Sequence, residues 1–453
     1  MHDVAIIGAG PAGLVAAVEC ERHGLRPVVF EAADRLGGLW KLPGGQVWPG
    51  MRANLSHATC AFPGFPWPDG APLFPSHRDI EAYLNRYATR FRVAHRIAFG
   101  TAVTSVEPAD RGWFVCAGST RQHFARVIVA SGFFSKPYLP AVPGREEFGG
   151  EVRHGARIAD LAAYRGRRIV VVGNAFSGCD LAVALAAHGA DVTHVFRRPY
   201  WILPRVFADG RALDAVLCRY PQASAAQSSA GTSPEPTFRQ RHQKLAALCA
   251  TQASVSPEWR VDPSSGEPPH TTVATGYLES LQAGTLRALR VETMRFTATG
   301  LLTDRAKVDG LDAVVFATGY ETALPFLSRD VQQLIGYDPA DRFMPVLLHQ
   351  GVWPANLPGL SFVGMYRGPY FLAMALQARW VARGFANAAY LPSPHETRLG
   401  VEQARLLRNA VCREQFPYGD YGAFVALLAQ RSGSEVDPTR YAGQRILPDQ
   451  YAV

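Results

Sequence analysis

The sequence has no C-x-x-C pair and very little lysine. Its seven cysteines never fall at the spacing of a redox pair or a zinc ligand set, which predicts mostly buried thiols in a reducing compartment and no metal site. Only four of the 46 basic residues are lysines, and the arginines are scattered without a basic run. An arginine-rich composition therefore explains the net charge of +8 better than a nucleic-acid partner does.

Long apolar runs and familiar hydrolytic constellations are missing as well. No apolar run approaches the roughly 20 residues that span a bilayer. The first strand pattern begins at Val4, which leaves no room for a cleavable signal peptide. No Ser/His/Asp set or pair of carboxylates stands out. We therefore expect a soluble cytoplasmic protein that avoids membranes, and its 453 residues suit two or three domains.

The first 31 residues contain a dinucleotide-binding fingerprint. An apolar run over 4–7 predicts a buried strand, a G-x-G-x-x-G turn over 8–13 follows, and helical spacing leads to a second strand over 27–30. In this pattern the helix N-terminus faces a pyrophosphate, and the acid after the second strand binds a ribose hydroxyl. A glycine-rich turn without a ligand would leave that acid unexplained. The residues assigned to this first nucleotide are Gly8, Gly10, Pro11, Ala12, Gly13 and Glu31.

Further candidate contacts follow the first fingerprint. Paired glycines so soon after the second strand indicate backbone close to a flat ligand, with a simple glycine turn as the alternative. The proline- and aromatic-rich loop 62–68 either lines a pocket or packs beneath the surface. Two strand patterns, 126–130 and 312–316, run into small residues at their C-terminal ends. This suits a chain that leaves a domain beside a bound cofactor. The candidate contacts in these stretches are Gly38, Leu39, Trp40, Ser131, Gly132, Thr318 and Gly319.

The fingerprint then recurs over 168–198. A strand over 168–172, a glycine turn, a helix over 180–188 and a strand over 191–196 repeat the first pattern, with Ala175 in place of the middle glycine. Two arginines stand where the first copy has an acid, and arginine pairs with a 2′-phosphate. We therefore predict FAD in the first site and NADPH in the second; a plain solvated arginine pair is the alternative. The residues assigned here are Gly173, Asn174, Ser177, Gly178, Arg197 and Arg198.

The rest of the chain carries fewer signals. The patterns predict a helix over 78–91, strands over 97–106 and 113–116, a helix and then a strand within 277–297, a strand over 361–364 and a helix over 369–384. Two stretches of low complexity, 222–236 and 256–270, predict surface loops without visible chemistry.

Together these motifs resemble the flavin-containing monooxygenases, the NADPH-dependent family that oxygenates nitrogen and sulfur. The resemblance runs from residue 4 to about 440, and its most specific element is Phe148-x-Gly150-x-x-x-His154. The supporting matches are Gly37-Gly38-Leu39-Trp40, Asn54 with its aromatic loop, Arg197-Arg198-x-x-Trp201, Phe316-Ala317-Thr318-Gly319-Tyr320 and Gln377-Ala378-Arg379-Trp380. One position departs: the family has Tyr or Phe, or Trp in Baeyer–Villiger relatives, where this chain has Ile158. For His154 we favour a structural role between domains over a catalytic one.

The resemblance implies a three-layer α/β fold with two Rossmann-like dinucleotide-binding domains. The NADPH domain (166–320) would be inserted into a discontinuous FAD domain, formed by 1–165 and by 321–453 with its C-terminal helices. It also implies that a flavin hydroperoxide, formed from oxygen and the reduced flavin, oxygenates a small amine or thioether. Asn54 would be catalytic and contact the cofactor, and Gln377 would be a further cofactor contact. A homodimer is left open.

Two other functions share these fingerprints. A Baeyer–Villiger ketone oxygenase would need an arginine at the flavin to stabilise a deprotonated peroxide. A non-oxygenating flavin reductase of the thioredoxin-reductase type would need a C-x-x-C, and usually a Gly-Asp where this chain has Gly364-Met365. Both features count against the reductase, whereas the ketone oxygenase stays open at this point.

Overall fold

The computed structural model describes residues 3–219, 237–368, 370–437 and 440–452. The stretch 222–236, predicted from its composition to be a surface loop, lies outside the described residues.

A five-stranded parallel sheet, the first sheet, forms around the N-terminal strand. Its strands in spatial order are Leu360–Phe362, Arg126–Val129, Val4–Ile7, Pro27–Phe30 and Ile97–Ala98. They are short and β-branched because both faces of a parallel sheet are covered. The strand that begins at Leu360 is contributed by the C-terminal third of the chain. The first sheet is therefore assembled from distant segments of the chain.

The predicted strand over 97–106 is wrong as a single element. Ile97–Ala98 ends the first sheet, and Val103–Pro108 starts a separate antiparallel sheet. Gly100 lies between them with φ of +61°, a conformation that reverses the chain and that side chains other than glycine rarely adopt. The periodicity continues across this turn, which is why the sequence does not reveal it.

A second parallel sheet repeats the arrangement. Its strands in spatial order are Leu286–Arg290, Asp191–Phe196, Arg168–Val172, Ala313–Phe316 and Glu151–His154. The last of these pairs here although it precedes the predicted domain boundary at 165. Two Rossmann-like sheets therefore stand in one chain, and the predicted α/β class is confirmed.

The remaining strands form small sheets at the margins. They are Val103–Pro108, Trp113–Ala117 and Thr120–Phe124; Met294–Thr297, Gly300–Thr303 and Lys307–Asp309; Trp201–Leu203 with Thr271–Val273; and Lys136–Pro137 with Tyr320–Glu321. The α-helices are Pro11–Arg22, His77–Arg90, Phe176–Ala187, Leu213–Leu217, Phe238–Leu248, Gln252–Val255, Tyr277–Gln282, Arg329–Leu334, Phe371–Ala386, Pro394–Asn409 and Tyr421–Ser432. Among the described helices none is long and apolar enough to cross a bilayer.

The core beneath the first sheet is built on the helix Phe371–Ala386. It packs on Pro11–Arg22, and its side chains from Phe371 to Ala382 are buried on every side. The predicted helix over 369–384 is therefore displaced by two residues. Phe62 stacks on Phe371 with ring centroids 4.8 Å apart, so the aromatic-proline loop packs inside the core, the second of the two interpretations offered by its sequence.

The segment 256–270 is largely the exposed loop that its composition predicts, with a clear exception. Trp259 is fully buried and packs against Phe196 of the second sheet, with the ring centroids 4.2 Å apart. The abundance of proline, serine and glycine around it hides one large anchoring side chain, and composition averages such a residue away.

Candidate active site

The first fingerprint forms the tight turn that its glycines predict. Gly8 has φ of +103°, and a Cβ placed there would lie 2.7 Å from the Ala130 carbonyl oxygen. A Cβ at Gly13 would lie 1.8 Å from the Gly8 oxygen, so helix and strand meet only because no side chain intervenes. The helix begins with Gly10 as its N-cap and Pro11 at its first position, without a side-chain cap. Its free N–H groups are therefore open to an anion.

Glu31 lies at the end of the second strand, where a ribose acid is expected. Its carboxylate accepts hydrogen bonds from the backbone N–H of Ala9 at 2.8 Å and of Ala33 at 2.9 Å. The Nζ of Lys41 lies 3.1 Å from Oε1 and forms a buried ion pair. The backbone thus fixes the acid at the turn. Lys41 was not predicted from the sequence, although it follows directly on the Trp40 turn.

The Gly38–Trp40 turn closes over the first fingerprint. A Cβ at Gly38 would lie 2.8 Å from the Cα of Gly10, so two backbones approach as closely as they can. The backbone N–H of Gln46 donates to the carbonyl oxygen of Leu39 at 2.8 Å, and Trp40 packs against the first core. Gly38, Leu39 and Trp40 therefore lie beside the helix N-terminus, as their sequence position predicts.

Unpaired polar atoms lie next to this turn. In the described chain, the buried Ser131 hydroxyl and the Oε1 of Gln46 have no hydrogen-bond partner. Ser131 and Gly132 end the run that contains the strand Arg126–Val129, adjacent to Gly8. Buried polar atoms without partners are costly unless a bound molecule satisfies them. Together with the uncapped helix, these atoms fit a nucleotide-like ligand at this edge of the first sheet.

Gln377 holds the C-terminal strand to this site. It is fully buried, its Oε1 accepts from the Gly364 N–H at 2.9 Å, and its Nε2 donates to the Gln350 oxygen at 3.4 Å. A Cβ at Gly364 would lie 3.1 Å from the Ala12 side chain. Gln377 therefore fixes the backbone at Gly364, which lies against the first helix.

The second fingerprint repeats the turn. A Cβ at Gly173 would lie 2.6 Å from the Ala317 oxygen, and the helix that contains Ser177 and Gly178 has no side-chain cap. The Asn174 amide donates to the carbonyl oxygen of Arg198, which ties the turn to the end of the next strand. A close backbone turn again faces an uncapped helix.

His194 supports this second turn and was not predicted from the sequence. Its Nε2 donates to the Gly173 oxygen at 2.8 Å, and its Nδ1 accepts from the Tyr277 hydroxyl at 2.6 Å. Burial lowers the pKa of His194 to about 4, so the ring is neutral at physiological pH. Its position inside a β-branched strand gave no sign of this role.

Arg197 and Arg198 lie exposed at the end of the strand Asp191–Phe196. Neither forms an ion pair with any carboxylate in the part of the chain that the structure describes. An arginine pair without carboxylate partners at the ribose end of a nucleotide fold is free to bind a phosphate.

His154 ends a strand of the second sheet and uses both ring nitrogens. Its Nε2 donates to the carbonyl oxygen of Gly319 at 3.1 Å, and its Nδ1 accepts from the Ala156 N–H at 3.2 Å. Burial lowers its pKa to about 4. Thr318 beside it donates to the Tyr138 oxygen at 2.6 Å. This geometry suits the structural role favoured for the motif histidine.

Asn54 is joined to the second half of the molecule by Arg205. Arg205 donates from Nη2 to the Asn54 side-chain oxygen at 2.8 Å and from Nε to the Ala53 carbonyl oxygen at 3.2 Å. Its Nη1 donates to Asp180 at 3.1 Å and to Thr275 at 3.4 Å, and its Nη2 also contacts Asp180. All five guanidinium donors therefore have acceptors.

This network fixes the direction of the Asn54 amide. Asp180 belongs to the helix of the second fingerprint, and Arg205 is only 8% exposed. Because Arg205 holds the Asn54 oxygen, Nδ2 is left as a donor without a protein partner among the described residues. Burial raises the pKa of the Asp180 carboxyl, while Arg205 opposes that shift. Asn54 and the second fingerprint are therefore linked through one buried guanidinium.

Among the described residues no group of three His, Cys, Asp or Glu side chains could hold a metal ion.

Comparisons with known proteins agree with this double nucleotide fold. A family model described as flavin-binding monooxygenase-like matches residues 1–421. Flavin-containing monooxygenase 3 of Rattus norvegicus is 28% identical over 422 residues, which cover 87% of this chain and 75% of the relative.

Solved structures share the fold at lower identity. The S-allyl-L-cysteine S-oxygenase of Allium sativum has a TM-score of 0.67 at 20% identity, covering 96% of this chain and 89% of its own. Cyclohexanone monooxygenase from Rhodococcus sp. Phi1, bound to NADP⁺, has a TM-score of 0.72 at 20% identity, covering 97% and 98%. At this identity the likeness establishes the fold alone.

These findings confirm a flavoprotein monooxygenase and an oxidoreductase, and the predicted FAD and NADPH agree with them. The chain belongs to the flavin-binding monooxygenase-like family.

Proposed function

We propose that the protein is an NADPH- and O2-dependent monooxygenase that oxygenates a soft nucleophile, the nitrogen of a small amine or the sulfur of a thioether. FAD binds at the first fingerprint and NADPH at the second. When bound, the two cofactors supply the reducing equivalents and the oxygen activation. The residues of this chain bind, orient and enclose them.

Asn54 carries this proposal. Arg205 holds its oxygen at 2.8 Å, which leaves a neutral N–H donor fixed in direction. An amide can stabilise developing negative charge without bringing a formal charge into a dry site. The donor also lies on a loop that Arg205 joins to Asp180 in the second fingerprint helix.

The engagement of Arg205 counts against this arginine as the one that a ketone oxygenation would need. A Baeyer–Villiger reaction needs an arginine free to stabilise a peroxide anion. Here all five guanidinium donors of Arg205 have protein acceptors, and its charge is balanced by Asp180. The S-oxygenase and the ketone oxygenase named above share this fold about equally, so the fold does not separate the two branches.

The proposed division into domains follows from the assignment of FAD to the first fingerprint and NADPH to the second. We propose that 1–165 and 321–453 form the FAD domain and that 166–320 form the NADPH domain, with the strand Glu151–His154 joining the sheet of the second domain. The pairing of Leu360–Phe362 with Arg126–Val129 supports the discontinuous first domain. A cytoplasmic location and a homodimer also remain proposals.

The test begins with the cofactor and ends with the substrate. Denaturing the purified protein should release FAD; release of FMN alone would contradict the first site. NADPH-dependent oxygen uptake should then yield oxygenated product from a panel of tertiary amines and thioethers, and not from matched cyclic ketones. Lactone formation from the ketones, with the amines and thioethers left unchanged, would move the enzyme to the Baeyer–Villiger branch.

A further inference from the structure

A groove opens beside Arg197 at the edge of the second sheet. Its volume is about 600 Å³, and three arginines line it: Arg260, Arg290 and Arg305. None of the three forms an ion pair with any carboxylate of the described chain. Because the arginines outnumber the two acids of the lining, Glu258 and Asp262, the groove favours an anionic ligand.

Arg290 brings this groove to the proposed NADPH site. It is the last residue of Leu286–Arg290 and pairs in register with Phe196, the residue before Arg197. Its Nε donates to the carbonyl oxygen of Arg197 at 3.2 Å. The guanidinium therefore lies across the end of the strand from which Arg197 and Arg198 emerge.

The wall of the groove is rigid. The backbone N–H of Arg290 donates to Oε2 of Glu258 at 3.0 Å, and Trp259, the next residue along, is fully buried against Phe196. The second acid of the lining, Asp262, accepts two hydrogen bonds from Ser264. The lining thus holds three arginines and two acids, an excess of one positive charge, and no ion pair joins them among the described residues.

We propose that Arg290 is a third arginine of the 2′-phosphate site, so that the phosphorylated ribose end of NADPH extends from Arg197 and Arg198 into this groove. The proposal rests on the assignment of NADPH to the second fingerprint. A planar, permanently charged guanidinium can bind a phosphate through two N–H groups, and one on a neighbouring strand adds a second direction of approach. Arg290 would thereby help to select NADPH over NADH.

The test measures binding of cofactor fragments, independently of turnover. Isothermal titration of the flavin-loaded protein with 2′,5′-ADP and with 5′-AMP separates the 2′-phosphate from the rest of the nucleotide. Arg290→Ala should weaken 2′,5′-ADP about tenfold, since a charge-assisted hydrogen bond at a partly exposed site has roughly that effect, and leave 5′-AMP unchanged. Arg290→Lys should recover part of the loss.

Arg287→Ala is the matched control. Arg287 lies three residues earlier on the same strand, and its guanidinium pairs with Asp191, so its loss should change neither affinity. If 2′,5′-ADP binds the Arg290→Ala protein within twofold of the parent, or if 5′-AMP weakens equally, the proposal is wrong.

The Arg197→Ala/Arg198→Ala protein distinguishes failure of the proposed role of Arg290 from failure of the proposed NADPH site. If that variant loses 2′,5′-ADP while Arg290→Ala does not, only the role of Arg290 fails. If neither variant discriminates between the two fragments, the NADPH site itself is wrongly assigned.

Discussion

Arg205 holds the side-chain oxygen of Asn54 at 2.8 Å and binds Asp180, a residue of the second fingerprint helix, with the other arm of its guanidinium. The loop that carries the proposed catalytic amide is therefore fixed by the half of the molecule proposed to bind NADPH. Without Arg205 the two halves would lose this buried connection. Three predictions about the site and one about stability follow from such contacts.

Replacing Asn54 should uncouple the reaction and leave the fold intact. Asn54→Leu removes one preorganised donor, and such a loss typically costs on the order of 3 kcal/mol in catalysis. We expect normal flavin content and normal reduction by NADPH, with product per NADPH falling about a hundredfold as hydrogen peroxide rises. Product, peroxide and melting temperature are measured on one preparation.

Asn54→Asp is the matched variant for that experiment. The carboxylate keeps an oxygen for Arg205 and replaces the N–H donor with a second oxygen that shares a negative charge. It should therefore uncouple as strongly as Asn54→Leu while melting closer to the parent. A loss of flavin or thermal stability with normal product per NADPH in both variants would mean that Asn54 only shapes its loop.

Removing Arg205 should affect stability and coupling separately. Arg205→Met leaves the Asp180 carboxylate buried without its cation, which typically costs about 3–5 kcal/mol. Arg205→Met/Asp180→Leu removes both charges and should recover most of the urea unfolding midpoint. Product per NADPH should stay low in both variants because Asn54 has lost its partner. Recovery of coupling in the double variant would show that Arg205 acts only through folding.

The sequence predicts the parts of this site that are formed by residues adjacent in the chain. Gly8 and Gly173 had to be glycine because each lies in a turn at positive φ against a neighbouring strand end. Such turns depend on consecutive residues, so both glycine turns and their spacing were predictable. The α/β class follows from the strands that flank them.

Contacts between distant segments could not be predicted in this way. Asn54 and Arg205 are separated by 151 positions, and Gly173 and His194 belong to different elements. One sequence without relatives carries no signal for such pairs. The burial of Trp259 was not predicted for another reason. A single buried tryptophan hardly changes the average composition of a loop that is otherwise typical of the surface.

The arginine pair should determine the nicotinamide preference. Arg197→Ala/Arg198→Ala removes charge-assisted hydrogen bonds worth about 1.5–3 kcal/mol, which is ten- to a hundredfold in affinity. Because these arginines are exposed, we expect the lower end of that range. The KM for NADPH should rise while NADH turnover is retained, as steady-state kinetics with both cofactors will measure. An unchanged ratio of kcat/KM for NADPH to that for NADH would show that the two arginines are solvated surface residues without a role in cofactor selection.

Acid should destabilise the protein through the buried histidines His154 and His194. Burial lowers the pKa of His154 and of His194 to about 4, below the ordinary 6.5 of the unfolded chain. Between pH 6.5 and 4 the unfolded state therefore binds more protons, so stability is full above pH 6.5 and falls as the pH drops toward 4. Each histidine contributes at most about 3 kcal/mol to that fall.

The contribution of His154 can be isolated by the way in which the urea unfolding midpoint changes with pH. His154→Gln retains a donor for the Gly319 oxygen and has no group that titrates in this range. Its urea midpoint should lie below the parent at pH 7.5 and approach it by pH 4.5, whereas His395→Gln, at an exposed histidine, should follow the parent throughout. If the parent and the His154→Gln protein lose stability in parallel as the pH falls, His154 is not held neutral by the fold. In that case the acid sensitivity must come from other groups, with His194 the first to be tested in the same way.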